Sequence, residues 1–403
     1  MTETATEEMN SKVLGIVAEY NPLHYGHVYQ MKTCREACGA DYTMVIMSGD
    51  FTQRGEPALI DKWSRTRTAL AAGADLVVEL PFYYACNGAG YFAHGAIKIL
   101  EATGVVTHLG FGSESGNIDE LNEAAEIMSE ENGEISEKIR EYLSCGLSYP
   151  SARAKAVGQY AKVSCEANNI LALEYISAIK KLKSSIKPVT VLRKGAGYND
   201  DSLTSENISA KAVRKAFSVN ENKTIEKMLK NIPEFTAAAL ESDKEYLVID
   251  GNDRYFDILR SAVLRSEPEE LKDIFSISEG MENKMKNEIR YASDTEDFIK
   301  RLKSKRYTRT RIQRMCAHTV TGFKKNAAAP EYIRVLGFTT KGAKLIKMIK
   351  ENDRLSMPVI TNINREKAEG IDTDIKASDI YNLICGKDLY RYSDYVKMLE
   401  IFG

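Results

Sequence analysis

Two of the five histidines in this 403-residue chain, His24 and His27, lie three residues apart in EYNPLHYGHVYQ (19–30). The segment follows a short apolar run, VLGIVAEY (13–20), and leads into a stretch of helical character near 25–38. Side chains three apart on a helix share a face, so both imidazoles point the same way. Free N–H groups at a helix start favour an anion, and Gly26, lacking Cβ, lets a ligand come close to the backbone. Together they form a site for a phosphate chain. There the histidines would hold the charge that develops when an α-phosphate is attacked and pyrophosphate leaves. A zinc site is the competing chemistry, but HExxH spacing is absent and no cysteine adjoins the motif. The plain alternative is two solvated surface histidines.

Other polar loops repeat this character. MSGDFTQRGEPALIDKW (47–63) carries Arg54, which suits bidentate contact with phosphate or carboxylate. Lys62 and Arg65 lie one turn apart on the helix that follows, where they equally fit a solvated charged face. FGSE (111–114) offers close backbone approach at Gly112, and EANNILALEY (166–175) sets Asn168 and Asn169 at a helix start, where Asn168 also suits an N-cap. LRKGAGYND (192–200) brings Arg193 with a glycine-rich turn. ENISAKAVRKA (206–216) opens a helix with Ser209, either a phosphate contact or a cap, and carries Arg214 further along.

These loops need a scaffold. Strand-like runs at 13–20, 41–49, 74–81, 105–114 and 187–195 alternate with helical stretches at 25–38, 61–73 and 89–104. That alternation predicts an α/β fold with a Rossmann-like parallel sheet wound on both faces. In such sheets ligands bind at the carboxyl ends of strands, where the polar loops fall. A helical insertion occupies about 118–183. Beyond about 225 charges are dense and apolar residues recur at helical spacing, so 13–225 reads as one domain, which the resemblance given below implies is the ATP-binding catalytic one, and 226–403 as a mainly helical one. EYIRVLGF and MPVITN are candidates for a short strand pair near 331–360.

Net charge is −2, so no global field attracts nucleic acid, and a polyanion site must be local. IKRLKSKRYTRTRIQR (299–314) is such an island, with eight Lys or Arg and no acid, leaving the remainder at about −10. Lys305, Arg306, Arg309, Arg311 and Arg314 are its candidate RNA contacts, although a helix there would turn some of them toward protein. KKN (324–326) and Arg334 are possible extensions of the patch. Phosphate contacts of this kind position RNA without choosing its sequence. The seven cysteines are irregularly spaced without CxxC, which fits a reduced, cytoplasmic protein. The first twelve residues are polar rather than a signal peptide, and no run reaches the ~20 apolar residues of a membrane span.

The strand–loop–HxGH–helix arrangement resembles the HxGH signature of the nucleotidyltransferase and class I synthetase superfamily. EYNPLHYGH, MSGDFTQRGEPA, DLVVELPF, FGSE, NNILALEY, GAGYND, ISAKAVRK and KRYTRTRIQR, in this order, resemble the bacterial tRNA(Met) cytidine acetate ligase family across about 13–400. The resemblance implies an enzyme that uses ATP to activate acetate as acetyl-adenylate. The acetyl group then passes to N4 of the wobble cytidine of elongator tRNA(Met). It implies an ATP site from Val17 to Gln30, through Ala18, Glu19, Tyr20, Asn21, Pro22, Leu23, Tyr25 and Gly26, with Gly112, Arg193 and one of Asn168 and Asn169; Ser209 joins them by its place at a helix start. His24, His27 and Arg54 are the expected catalytic groups. Ala167 and Asn199 depart from the family pattern, which often has proline and histidine there. A magnesium ion would accompany ATP; no carboxylate stands out as its ligand, with Asp50 a weak candidate. Two rival readings are a small-molecule nucleotidyltransferase that adenylates a phosphorylated precursor and a non-enzymatic RNA-binding module.

Overall fold

The computed structural model describes residues 11–129, 133–147, 149–159, 164, 166–193, 208–219, 221–249, 251–366 and 368–403. Five strands, β1 (Val13–Ala18), β2 (Tyr42–Ser48), β3 (Leu76–Leu80), β4 (His108–Ser113) and β5 (Lys187–Leu192), run parallel in the order β5-β4-β1-β2-β3. Every residue of β2 and β3 is buried. That follows from their mainly apolar runs, which suit a sheet covered on both faces, with Glu79 of β3 buried only because it is paired. Helices α1 (Tyr25–Cys38), α2 (Lys62–Ala71), α3 (Ala89–Ala102) and α4 (Ala167–Lys181) supply part of the cover. The chain lays down β1, β2 and β3 in one direction, then returns to place β4 on the other side of β1. The strand order therefore reverses between β1 and β4, and a crevice opens outside their carboxyl ends. Helices Ile118–Ser129, Gly133–Ser144 and Tyr149–Val157, with α4, fill the insertion between β4 and β5.

The later half is mainly helical, including α5 (Ala210–Val219), α6 (Asp253–Arg265), α7 (Thr295–Leu302), α8 (Arg309–Thr321), α9 (Thr340–Lys350) and α10 (Ile371–Cys385). Its core gathers Leu259, Phe298, Ile312, Met315 and Tyr381, and also Phe51, Phe82 and Cys86 from the first half. EYIRVLGF and MPVITN do form strands, β6 (Ile333–Thr339) and β7 (Val359–Ile360), and they pair in parallel. β6 also pairs antiparallel with β3, and β8 (Glu400–Phe402) pairs with β6, so the later half extends the same sheet to eight strands. A boundary near 225 thus separates compositions more than cores.

A buried tetrad seals this junction. Lys62 Nζ lies 2.9 Å from Glu79 and 2.7 Å from Asp394, and Arg334 Nη1 lies 3.0 Å from each of those carboxylates. All four side chains are at most 2% exposed. Such charges tolerate burial only because each is paired; removing one would strand its partners. Lys62 is therefore no solvated helix charge, and Arg334 does not extend the basic patch.

Candidate active site

His24 is the N-cap of α1. Its Nδ1 accepts the Gly26 N–H at 3.1 Å, and the His27 Nδ1 accepts the His24 N–H at 3.2 Å. The pair is a capping box in which imidazoles do the work usually done by Ser/Thr and Glu. The rings stack with centroids 3.8 Å apart. Gly26 serves this pair directly: a Cβ there would stand 2.9 Å from the His24 ring. With both Nδ1 atoms accepting, each neutral ring carries its proton on Nε2. Burial, reinforced by the Arg193 charge, lowers His24 to about 4. Burial, then His24, then Arg193 lower His27 well below the usual histidine value. At neutral pH the loop therefore offers two uncharged, fixed Nε2–H donors in a water-poor crevice, where oriented dipoles act strongly on developing negative charge.

The β4 flank supplies the cation. Arg193, at the end of β5, donates through Nη1 to Asn168 Oδ1 at 2.7 Å, and Asn168 Nδ2 donates to Glu114. Glu114 also accepts the Asn169 N–H at 2.8 Å. Asn169 is fully buried, and its Oδ1 accepts the Glu114 N–H at 3.0 Å. Asn169 thus braces the β4 exit, and Asn168, also bonded to Glu114, holds Arg193. Gly112 makes room there, since a Cβ would lie 3.1 Å from Arg193 Cγ and 3.7 Å from Gln30 Oε1. Sequence reasoning passed over Glu114, although the acid of FGSE directly follows β4. The turn carrying Tyr198 and Asn199 lies outside the described residues.

The β1 loop is braced from both sides. Tyr20 has φ +47°, a region side-chain-bearing residues rarely occupy. Tyr20 and Leu23 are buried in the core, Val17 and Ala18 pack partly against it, and Tyr25 stands 46% exposed beside His24. Asn21 Oδ1 accepts the Leu59 N–H at 2.7 Å, and the Asn21 carbonyl, just before Pro22, accepts from Arg214 Nη1 at 2.8 Å. Ser209 Oγ accepts the Ala212 N–H at 3.1 Å and so caps α5. Arg65 is not a surface charge. Its guanidinium donates to the carbonyls of Glu19 (2.8 Å), Ser48 (3.0 Å), Gly49 (2.5 Å) and Ile60 (3.0 Å), which ties together the exits of β1 and β2.

On the β2 flank the Glu19 carboxylate accepts the Gln53 N–H at 2.7 Å and lies within the fields of Arg54 and Arg214. Asp50 is consumed structurally: Oδ1 accepts the Lys62 N–H at 2.7 Å and Oδ2 the Ser378 hydroxyl at 2.7 Å. It is not available to a metal. Among the described residues no group of three His, Cys, Asp or Glu side chains can hold a metal ion. A magnesium ion arriving with ATP would be carried by phosphate and water, as its chemistry allows.

The basic stretch spans the end of α7, a turn and the start of α8. Arg306 pairs with Glu279 at 2.8 Å, Arg309 forks onto Glu296 at 2.6 and 2.5 Å, and Arg311 stacks on Tyr307 at 4.2 Å. Lys305 is exposed. Arg314 differs: it turns inward and donates to the Gln53 carbonyl at 3.1 Å, while neighbouring Gln313 donates to Glu56 at 2.5 Å. α8 therefore presents arginines at its first turn and grips the β2 exit loop with its second.

These features agree with the chain's relatives. A model of the HIGH Nucleotidyl Transferase family matches residues 11–394. A tRNA(Met) cytidine acetate ligase of Clostridium perfringens is 38% identical over 97% of this chain and 99% of its own length. One of Thermoanaerobacter sp. is 40% identical over 92% of this chain and 95% of its own. The chain belongs to the tRNA(Met) cytidine acetate ligase family. The crystal structure of Thermotoga maritima TmcAL in its apo form I superposes with a TM-score of 0.86 at 33% identity, covering 97% of this chain and 99% of that one. The form bound with alpha-thio ATP gives 0.84 at 32% identity over the same shares. In this ligase-family chain, no described helix is long and apolar enough to cross a membrane.

Proposed function

We propose that this chain is an ATP-dependent ligase that activates acetate as acetyl-adenylate and acetylates N4 of the wobble cytidine of elongator tRNA(Met). The observation that carries the adenylation half is the locked histidine pair at the β1/β4 switch point, with Arg193 across the crevice. Acetate is a poor acyl donor, and joining it to AMP supplies a leaving group. A carboxylate oxygen attacks the α-phosphorus and the bond to pyrophosphate breaks. That step demands alignment and charge stabilisation more than a covalent nucleophile. His24 and His27 would donate N–H bonds to the phosphate oxygens, and Arg193, held by Asn168, would neutralise charge from the β4 side. Gly112, Gln30 and the loop from Val17 to Gly26 would line the nucleotide, Glu19 through its backbone only because its carboxylate turns to Gln53, with Arg54 above the β2 exit.

We assign tRNA binding to the later half, through Lys305, Arg306, Arg309 and Arg311. Arg314 has a different role there, as the link between this surface and the active-site loop. We propose that the enzyme works in the cytoplasm, with the cellular tRNA it would modify. The test is ATP–pyrophosphate exchange with and without acetate, followed by analysis of tRNA for N4-acetylcytidine. Acetate-dependent exchange and wobble acetylation are expected. Exchange that requires a phosphorylated metabolite in place of acetate would instead favour a small-molecule nucleotidyltransferase.

A further inference from the structure

The histidine pair, Arg193 and Asn168 account for adenylation on the β4 flank, but acyl transfer needs a proton acceptor they do not provide. Both imidazoles use Nδ1 on backbone N–H groups and carry their proton on Nε2, so neither has a lone pair to spare. The attacking N4 amine must nevertheless lose a proton.

The β2 flank holds a carboxylate without a part in adenylation. Glu19 is the first residue beyond β1, at the floor of the crevice. Its negative charge would repel a polyphosphate, so its side chain is poorly suited to the ATP contact expected of it from the sequence. One oxygen, Oε1, is fixed by the Gln53 N–H at 2.7 Å; Oε2 makes no hydrogen bond among the described residues. Two buried donors on the same flank, Gln53 Nε2 and Arg214 Nε, also have no hydrogen-bond partner there. Buried donors left unpaired in a folded site call for a ligand that accepts from them. An acceptor beside N–H donors complements the pairing edge of cytosine, whose N4 amine donates while N3 and O2 accept.

We propose that Glu19 is the general base of the acetyl-transfer step; this rests on the ligase reading above. The N4 lone pair forms a bond to the acetyl carbonyl carbon, and the bond between that carbon and the AMP phosphate oxygen breaks. AMP leaves with the bonding electrons, and Oε2 of Glu19 takes one N4 proton. The groups facing Glu19 fit this task. Burial raises its proton affinity and neighbouring Glu56 adds to the effect. The Gln53 N–H, Arg54 and Arg214 oppose both, and Tyr175 and Cys86 border it as neutral groups.

The test separates the two half-reactions in the full-length enzyme. Exchange with ATP, acetate and pyrophosphate reports adenylation; single-turnover acetylation of tRNA from supplied acetyl-adenylate reports transfer. Glu19→Gln keeps an acceptor for the Gln53 N–H but removes the base. Transfer should fall at least about 100-fold more than exchange, the usual worth of a general base. The parent's transfer rate should decline on the acid side as Glu19 protonates, Glu19→Gln should lack that decline, and Glu19→Asp should restore part of the rate. Equal losses in both half-reactions would make Glu19 a structural brace, and undiminished transfer would remove it from the reaction; either result overturns the proposal. A parent enzyme without acetate-dependent exchange would instead defeat the ligase reading itself.

Discussion

In the function proposed above, the histidine loop and the basic stretch both meet phosphate, by opposite physical means. The loop is half-buried, its two imidazoles are uncharged, and each is fixed by a backbone N–H. The stretch is wet, and its arginines pair with Glu279 and Glu296 on side chains 41–72% exposed. Exposed ion pairs contribute about 0–1 kcal/mol and exchange partners readily. The proposed function asks the first for a single geometry around a reacting phosphorus and the second for an adaptable, salt-sensitive grip on RNA. α8 joins them through Gln313 and Arg314 on the β2 exit loop.

Removing the fixed donors should have the largest effect. His24→Ala or His27→Ala is expected to lower acetate-dependent exchange about 100- to 1,000-fold, the scale seen when one oriented transition-state donor is lost. The loss in exchange should exceed any loss in tRNA affinity at least tenfold, as read by filter binding. Parallel losses would mean that the loop holds structure for both regions, and the contrast would collapse.

The joint between the regions comes next. Gly55 has φ +83°, and a Cβ there would lie 2.3 Å from the Arg314 backbone nitrogen. Gly55→Ala should cost about 2–3 kcal/mol in thermal or denaturant unfolding, from strain plus overlap. An unchanged melting curve would show that α8 does not bear on the loop so closely.

Replacing Arg306, Arg309 and Arg311 by Ala together should weaken tRNA binding by about 10- to 30-fold near physiological salt. The slope of log affinity against log salt should fall by about 2, from ~0.7 per lost contact with single-stranded phosphate. A slope that stays the same would place the RNA elsewhere on the surface.

The fate of these residues shows what could be read without coordinates. The first-half strands and helices were legible because parallel strands are continuous apolar runs that end at polar loops, and the switch-point crevice collects those loops. The mutual capping of His24 and His27 was present as i, i+3 spacing, but no capping pattern names histidine. The buried charges were the hardest to read. Lys62 and Arg65 look like a solvated helix face, and Lys62 meets Asp394 only because β6 returns to pair with β3. Asp394 lies 332 residues from Lys62, and the Arg65 acceptors sit on separate strand exits, so local periodicity carries no information about either. The difference between Asn168 and Asn169 was equally closed, since both bond Glu114 at the β4 exit and only burial and their remaining partners set them apart.

Acid offers the smallest and most selective test. His24 titrates near its ordinary value of 6.5 when unfolded and at about 4 when folded, because burial and Arg193 disfavour its charged form. Between those values the unfolded chain binds a proton that the folded chain does not. Its contribution is therefore fully present above 6.5 and is lost as pH falls toward about 4. At pH 5.5 the loss should be about 1 kcal/mol, read as a lower midpoint in denaturant relative to pH 7.5. His318, buried and lowered to about 3, adds to the same trend, so the informative quantity is the difference between parent and His24→Asn. The basic stretch should not respond in this window. Glu296 is held below its usual value of 4.5, chiefly by its hydrogen bond to Arg309, and its pairing is lost only as pH falls through the carboxylate range. ATP sharpens the contrast, because its phosphates beside His24 favour the charged ring and should reduce the acid loss. An acid response as large in His24→Asn as in the parent, or one that ATP leaves untouched, would show that the neutral pair is not what separates the two regions.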